Sequence, residues 1–328
     1  MRYSILLFSL LFFFAANAEK PHVVATATMI ADMAKNIGKE HVEVSCIVPV
    51  GGDPHMYKPA PNDAKLVVKA DLVLKNGLTF EGWLDELIEN SGTKAEIITV
   101  TEGITPIKST SYDSPDPHAW MDVKNAIVYA ENIKKALAKA LPAQKEAFEA
   151  NFAAYKKELE ELDNYIVAAI NTIPEDKRIV ITSHDAFQYY GKRYGLRLES
   201  VQGISTDADI QTDDVLDLQK VIKSINVPAV FVETTVNPKV LQQIASDMGV
   251  SIGGKLLSDS LGDEKIGGET YVKMMKQNTD VIVQGLKREK DAPSTVETAE
   301  DSTSNYLFTG IIALLFIAGI FFMLRKNR

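Results

Sequence analysis

Three histidines and one aspartate stand in short, turn-rich motifs along this 328-residue chain. His55 sits in GGDPHMYKP, His118 in DPHAWMD, His184 in ITSHDAF and Asp259 in LLSDSLG. Neutral imidazole nitrogen suits first-row transition metals, and one carboxylate supplies charge. Two of the four groups fall in the first half of the chain and two in the second. A site built from all of them would therefore lie between two lobes. Taken singly, each histidine is an ordinary loop residue, and Asp259, followed by Ser260, also suits a turn or a helix cap. Only their combination points to a metal. His22 and His41 have no comparable setting.

An imidazole that binds a metal through one nitrogen is commonly oriented through the other. Asp53, Asp116, Asp185 and Glu233 are carboxylates close to the motifs. Asp53 and Asp116 each precede a Pro-His pair, where a plain turn role is an equal reading. Glu233 ends an apolar run and would be costly to bury without a partner. Trp83 and Trp120 read as packing groups. Cys46 is the only cysteine, so no disulfide can form within the chain, and in VEVSCIVP it reads as a small buried strand residue.

The elements that would position these groups alternate between strand-like and helix-like. Val23–Thr28, Val42–Val48, Leu72–Leu74 and Glu96–Val100 read as strands, with helices between them. Lys124–Leu141 and Ala143–Ile173 form a helical stretch broken at Pro142. In its second part Phe148, Phe152, Tyr155, Leu159, Leu162 and Ile166 recur at three- and four-residue steps. That spacing predicts an amphipathic connector lying against both lobes. The alternation then restarts, with strands at Arg178–Thr182, Leu196–Val201, Ala229–Glu233 and Lys255–Leu257 and a final helix from Glu269 to Leu286. The fold class expected is α/β, each lobe a parallel sheet covered by helices. Ligands collect beyond the carboxyl ends of parallel strands, and His55, His184 and Asp259 all follow strands.

Both ends of the chain read as membrane-directed. MRYSILLFSLLFFFAANA, residues 1–18, has the basic start, apolar run and small-residue end of a signal peptide. No cysteine follows it closely, which argues against a lipid anchor. EKDAPSTVETAEDSTSN, residues 289–305, has the composition of a disordered tether. Tyr306–Leu324 is uncharged and long enough for a transmembrane helix, and the basic tail at 325–328 favours a cytoplasmic C-terminus. The body is then expected outside, held at the outer face of the membrane. With a net charge of −9 and no basic block among aromatics, nucleic acid is excluded as a partner.

GGDPHMYKPAPND, KNGLTFEGWLDEL, DPHAWMDVKNAIVYAENI, RIVITSHDAFQYYGKRYGL, VQGISTDADIQTDDV, AVFVETTVNP and GGKLLSDSLG make a more specific pattern. In these stretches the chain resembles the zinc- and manganese-binding proteins of ABC transporters, the Tro/Znu-type cluster A-I solute-binding family. The resemblance covers most of Pro21–Leu286. It implies an N-terminal lobe over 19–141, a single backbone helix over 142–173 and a C-terminal lobe over 174–288. It also implies metal bound in the cleft, with His55, His118, His184 and Asp259 as ligands. The cargo it implies is one divalent ion, Mn²⁺ or Zn²⁺ with Fe²⁺ as a third candidate, and the partners are an ABC permease and its ATPase. A monomer is expected. The third ligand position is glutamate in some manganese-type members and histidine here. The long His/Asp-rich loop and second-lobe disulfide of many zinc-dedicated members are missing, and the C-terminal anchor is a departure.

Two other functions fit some of these residues. A surface zinc hydrolase needs an open coordination position and a general base, and four protein ligands argue against the open position. No HExxH or nucleophile elbow occurs. An adhesin or sensor that uses the metal without transporting it is the second alternative.

Overall fold

The computed structural model describes residues 20–108, 114–207, 209–225 and 227–288. The N-terminal part holds four parallel strands: β1 (His22–Ala25), β2 (Glu43–Cys46), β3 (Leu72–Lys75) and β4 (Glu96–Thr99), in the order β2-β1-β3-β4. Alternate residues of β1 and β3 enter different cores. Val23, Ala25, Leu72 and Leu74 join the large apolar cluster, whereas Val24 and Val73 join a smaller one. Both faces of this sheet are therefore covered, as parallel strands require. Helices α1 (Thr28–Gly38) and α4 (Val123–Ala140) contribute to the large core, and α2 (Pro61–Val68) and α3 (Leu84–Ser91) to the small one.

The second part repeats the scheme with two parallel pairs. β5 (Ile179–His184) pairs with β6 (Arg197–Gln202), β7 (Ala229–Glu233) pairs with β8 (Ser251–Leu256), and β5 lies against β7. On one face Ile181, Val201, Val230 and Val232 pack with Leu218 and Ile222 of α7 (Thr212–Ser224) and Leu241 and Ile244 of α8 (Lys239–Met248). On the other, Val180, Phe231 and Leu256 meet α9 (Tyr271–Lys287) within the large cluster. The helix α6 (Gln188–Tyr194), which joins β5 to β6, stops at Gly195, whose φ of 77° suits glycine best.

The connector is α5 (Lys145–Ile170), roughly 39 Å long at ~1.5 Å per residue. It packs on α1 and α4 of the first part and on α6 and α9 of the second. Phe148, Tyr155, Leu159, Leu162, Ile166 and Ile170 form its buried stripe. Phe152, expected in that stripe, is only partly buried and lies under the ammonium of Lys134, 4.8 Å from its ring centre.

One expectation is corrected. Among the described residues no helix is long and apolar enough to cross a membrane. The longest, α5, carries Lys156, Lys157, Glu160 and Glu161 in ion pairs on its outer face, so it cannot serve as a span. Among the described residues the fold is thus two α/β lobes on a backbone helix, with no membrane-spanning helix among them. Tyr306–Leu324, the signal segment and the tether lie outside the described residues.

Candidate metal centre

Short, hydrogen-bonded turns aim each of the four groups. His55 lies in the loop after β2. Asp53 Oδ1 accepts the His55 backbone N–H at 2.9 Å, and the Trp83 indole N–H donates to Pro54 O at 2.7 Å. The His55 ring meets the Phe80 ring edge-on, with centroids 4.8 Å apart. His118 precedes a single 3-10 turn that leads into α4, whose first turn is capped by Asp122 accepting from Lys124 N at 2.8 Å. Here Asp116 Oδ1 accepts the His118 backbone N–H at 2.9 Å and lies 2.8 Å from the ring Nδ1. The Asn76 side-chain amide donates to Pro117 O at 2.9 Å, fixing the same turn from behind.

His184 is the last residue of β5, opposite Gln202 of β6, and not beyond the strand as the sequence suggested. Glu233, at the end of β7, takes its backbone N–H on Oε1 at 2.9 Å and brings Oε2 within 2.7 Å of Nδ1. Asp259 follows β8, and Thr235 donates to its Oδ2 at 3.4 Å. These placements bring the four predicted groups together from both lobes. One ligand-capable atom from each lies within 4.8 Å of all the others. His118, His184 and Asp259 are buried, and His55 is half-buried.

The distances suit a small cation. His55 Nε2 and His118 Nε2 are 3.3 Å apart, His118 Nε2 and Asp259 Oδ1 3.3 Å, and His184 Nε2 and Asp259 Oδ2 3.2 Å. A tetrahedron with metal–ligand bonds of ~2.05 Å has edges of about 3.3 Å. The contacts of the buried His184 Nε2 and Asp259 Oδ1, at 3.2 and 3.3 Å, are longer than charged hydrogen bonds and leave room for a shared cation.

The electrostatics follow from burial and charge. Burial would pull the His118 proton affinity down, but bonds to Asp116 and Asp259 outweigh it and lift its pKa to about 9. In His184 burial is likewise overcome, by the charges of Glu233 and Asp259, so its pKa rises. Burial alone would raise the Asp259 carboxyl. The charge on His184 and the bond from His118 instead hold it well below the ordinary carboxylate range. His55 has no carboxylate on its ring, and burial pushes its pKa down to about 3. Of the three imidazoles it holds a proton least readily, so protons compete with a metal mainly at the inner two.

The four candidate orienting carboxylates divide. Asp116 and Glu233 touch ligand rings. Asp53 holds only the His55 backbone, and its other oxygen accepts from Thr206 of the opposite lobe at 2.6 Å. Asp185 touches none of the three rings; its carboxylate accepts from the Gln188 amide at 2.7 Å. Sequence reasoning missed Thr206, Thr235 and Asn76: each lies in a stretch quoted above, but a lone threonine or asparagine there carries no metal-site signal of its own. Trp120 is a fully buried packing group, as expected, but it also donates its indole N–H to Ser258 O at 3.2 Å across the two lobes.

The family model described as "Zinc-uptake complex component A periplasmic" matches residues 23–285. The chain belongs to this family. It is 36% identical to the manganese-binding lipoprotein MntA of Halalkalibacterium halodurans over 272 residues, covering 83% of this chain and 90% of that one. It is 33% identical to the manganese ABC transporter substrate-binding lipoprotein PsaA of Streptococcus pneumoniae, covering 83% and 91%. Among solved structures, the periplasmic zinc binding protein TroA of Treponema pallidum aligns with a TM-score of 0.78 and 32% identity, over 82% of this chain and all of that one. Membership of a family of uptake components sets aside the hydrolase.

Proposed function

We propose that this chain is the extracytoplasmic solute-binding component of a metal ABC transporter, handing its ion to a permease driven by an ATPase. The ion is held by His55, His118, His184 and Asp259 in the cleft between a lobe over 19–141 and a lobe over 174–288. What carries the reading is the convergence of three imidazole nitrogens and one carboxylate, all within 4.8 Å of one another, with three of the pairs at 3.2–3.3 Å. Relatives named for manganese and a neighbour named for zinc support the transport role.

The cargo class is a divalent transition ion, Mn²⁺ or Zn²⁺, with Fe²⁺ as the third candidate. Both Asp259 oxygens face imidazoles, so the set can offer five donors, which suits Mn²⁺ and Fe²⁺, while four suffice for Zn²⁺. Zinc binds more tightly at equilibrium because manganese lies low in the Irving–Williams order. Cargo choice then follows availability and the rate of release. Elemental analysis of protein purified without chelators, followed by competition among Mn²⁺, Zn²⁺ and Fe²⁺, tests this. One ion per chain is expected, and protein that neither carries nor takes up any of the three would overturn the proposal.

A further inference from the structure

Release rate has a structural determinant outside the ligand set. Three of the four ligand candidates are sealed in: His118, His184 and Asp259 are at most 1% exposed. His55 alone lines a cavity of about 240 Å³ at the cleft mouth, walled by Pro117 and Thr79 on one side and Ile204, Ser205 and Asp207 on the other. Of the four, His55 is thus the one that faces an opening, between its own loop and the loop after β6.

A direct bond holds those loops together. Thr206 Oγ1 donates to Asp53 Oδ2 at 2.6 Å, while Asp53 Oδ1 accepts the His55 N–H at 2.9 Å. Behind Thr206, its carbonyl accepts from the Gln202 amide at 3.0 Å, and Gln202 pairs in register with His184. A continuous chain of bonds thus runs from the His55 backbone, across the mouth, to the strand pair that carries His184. Other bonds between the lobes near the site, among them Gly51 N–H to Ser260 Oγ, Leu261 N–H to Thr28 Oγ1, Trp120 Nε1–H to Ser258 O and the Tyr189 hydroxyl to Asp116 O, involve Ser260, Thr28, Trp120 and Tyr189, which are buried. We propose that Asp53 and Thr206 form a clasp across the mouth, which keeps the His55 loop closed over bound metal and thereby sets its dissociation rate. The proposal rests on the metal-capture reading above. Both are positioning residues: neither supplies a metal ligand.

The test uses the full chain loaded with Mn²⁺ or Zn²⁺ and mixed with excess chelator in a stopped-flow instrument. A part-buried neutral-to-charged hydrogen bond of ordinary strength implies that Thr206→Val releases metal roughly five- to twentyfold faster than wild type. Thr206→Ser, which keeps the hydroxyl, should release at close to the wild-type rate. Asp53→Ala should also release faster, and adding Thr206→Val to it should accelerate release little further, because the same bond is already lost. Thermal unfolding of the metal-free variants separates a local clasp from general loosening, since a clasp leaves that transition nearly in place. Release by Thr206→Val at the wild-type rate, or fully additive effects in the double variant, would overturn the clasp while leaving metal capture intact. Wild-type protein that binds none of the ions would overturn both.

Discussion

Glu233 grips His184 twice, taking its backbone N–H on one oxygen and standing 2.7 Å from its ring Nδ1 with the other. That double contact fixes the ring plane and leaves Nε2 facing Asp259. Glu233→Gln keeps the size but removes the charge that makes the imidazole a stronger donor. Metal affinity is expected to fall about 10- to 100-fold, measured by competition with a chelating dye. Unchanged affinity would show that the contact does not tune the ligand.

His118 touches both His55 and Asp259 at 3.3 Å, so its loss removes a donor at the centre of the cluster. His118→Ala should weaken binding by several kcal/mol, read by calorimetry on the full chain. The same variant should lose most of the rise in melting temperature that saturating metal gives the wild type, since that rise follows RT ln(1 + [L]/Kd).

Asp32 of α1 supplies a pH dependence remote from the site. Its Oδ2 accepts the Tyr271 N–H at the start of α9, at 2.9 Å, joining the two lobes. Burial raises its pKa from 3.8 to about 6, against the lowering effects of that bond and of Lys35, with Glu158 adding to the rise and Tyr155 also facing it. Between these values the folded chain holds a proton that the unfolded chain releases. The resulting penalty is absent below the lower value and complete above about 6. Asp32→Asn keeps an acceptor for Tyr271 without the charge. Its advantage in melting temperature over wild type should be larger at pH 7.5 than at pH 4.5. An equal difference at both would refute the raised pKa.

Trp120 ties the lobes beside the site. Its indole donates to Ser258 O, and its own carbonyl accepts from the Tyr271 hydroxyl at 2.7 Å. Trp120→Phe loses the first bond and leaves a void in a fully buried position. Metal-free protein should lose about 1–3 kcal/mol in urea unfolding. Because Ser258 adjoins Asp259, metal should also bind more weakly. A stability loss with no change in affinity would separate lobe packing from site geometry.

The order of strands and helices was legible because each is a local pattern: runs of Val, Ile and Leu for the buried strands, and a three-and-four spacing for α5. Element ends were less so. His184 belongs to β5 because Gln202 offers it a parallel partner, and a partner on another strand leaves no local mark. The two Asp-Pro-His motifs show the same limit. In both, the aspartate accepts the N–H of the histidine two residues on. Only Asp116 also reaches the ring, whereas Asp53 turns its second oxygen to Thr206.

By itself the sequence determined which atoms are available: three imidazoles, one carboxylate and the turns that expose them, with two of the four in each half of the chain. Local chemistry suffices for that, because turn residues and ligand types act within a few positions. The tertiary structure decided which carboxylate serves which ring, that Asp185 serves none, that His55 alone faces the mouth, and that Thr206 reaches across to Asp53. Those choices depend on how α5 and α9 set one lobe against the other. Such distances arise from packing between residues far apart in the chain, and no short motif records them.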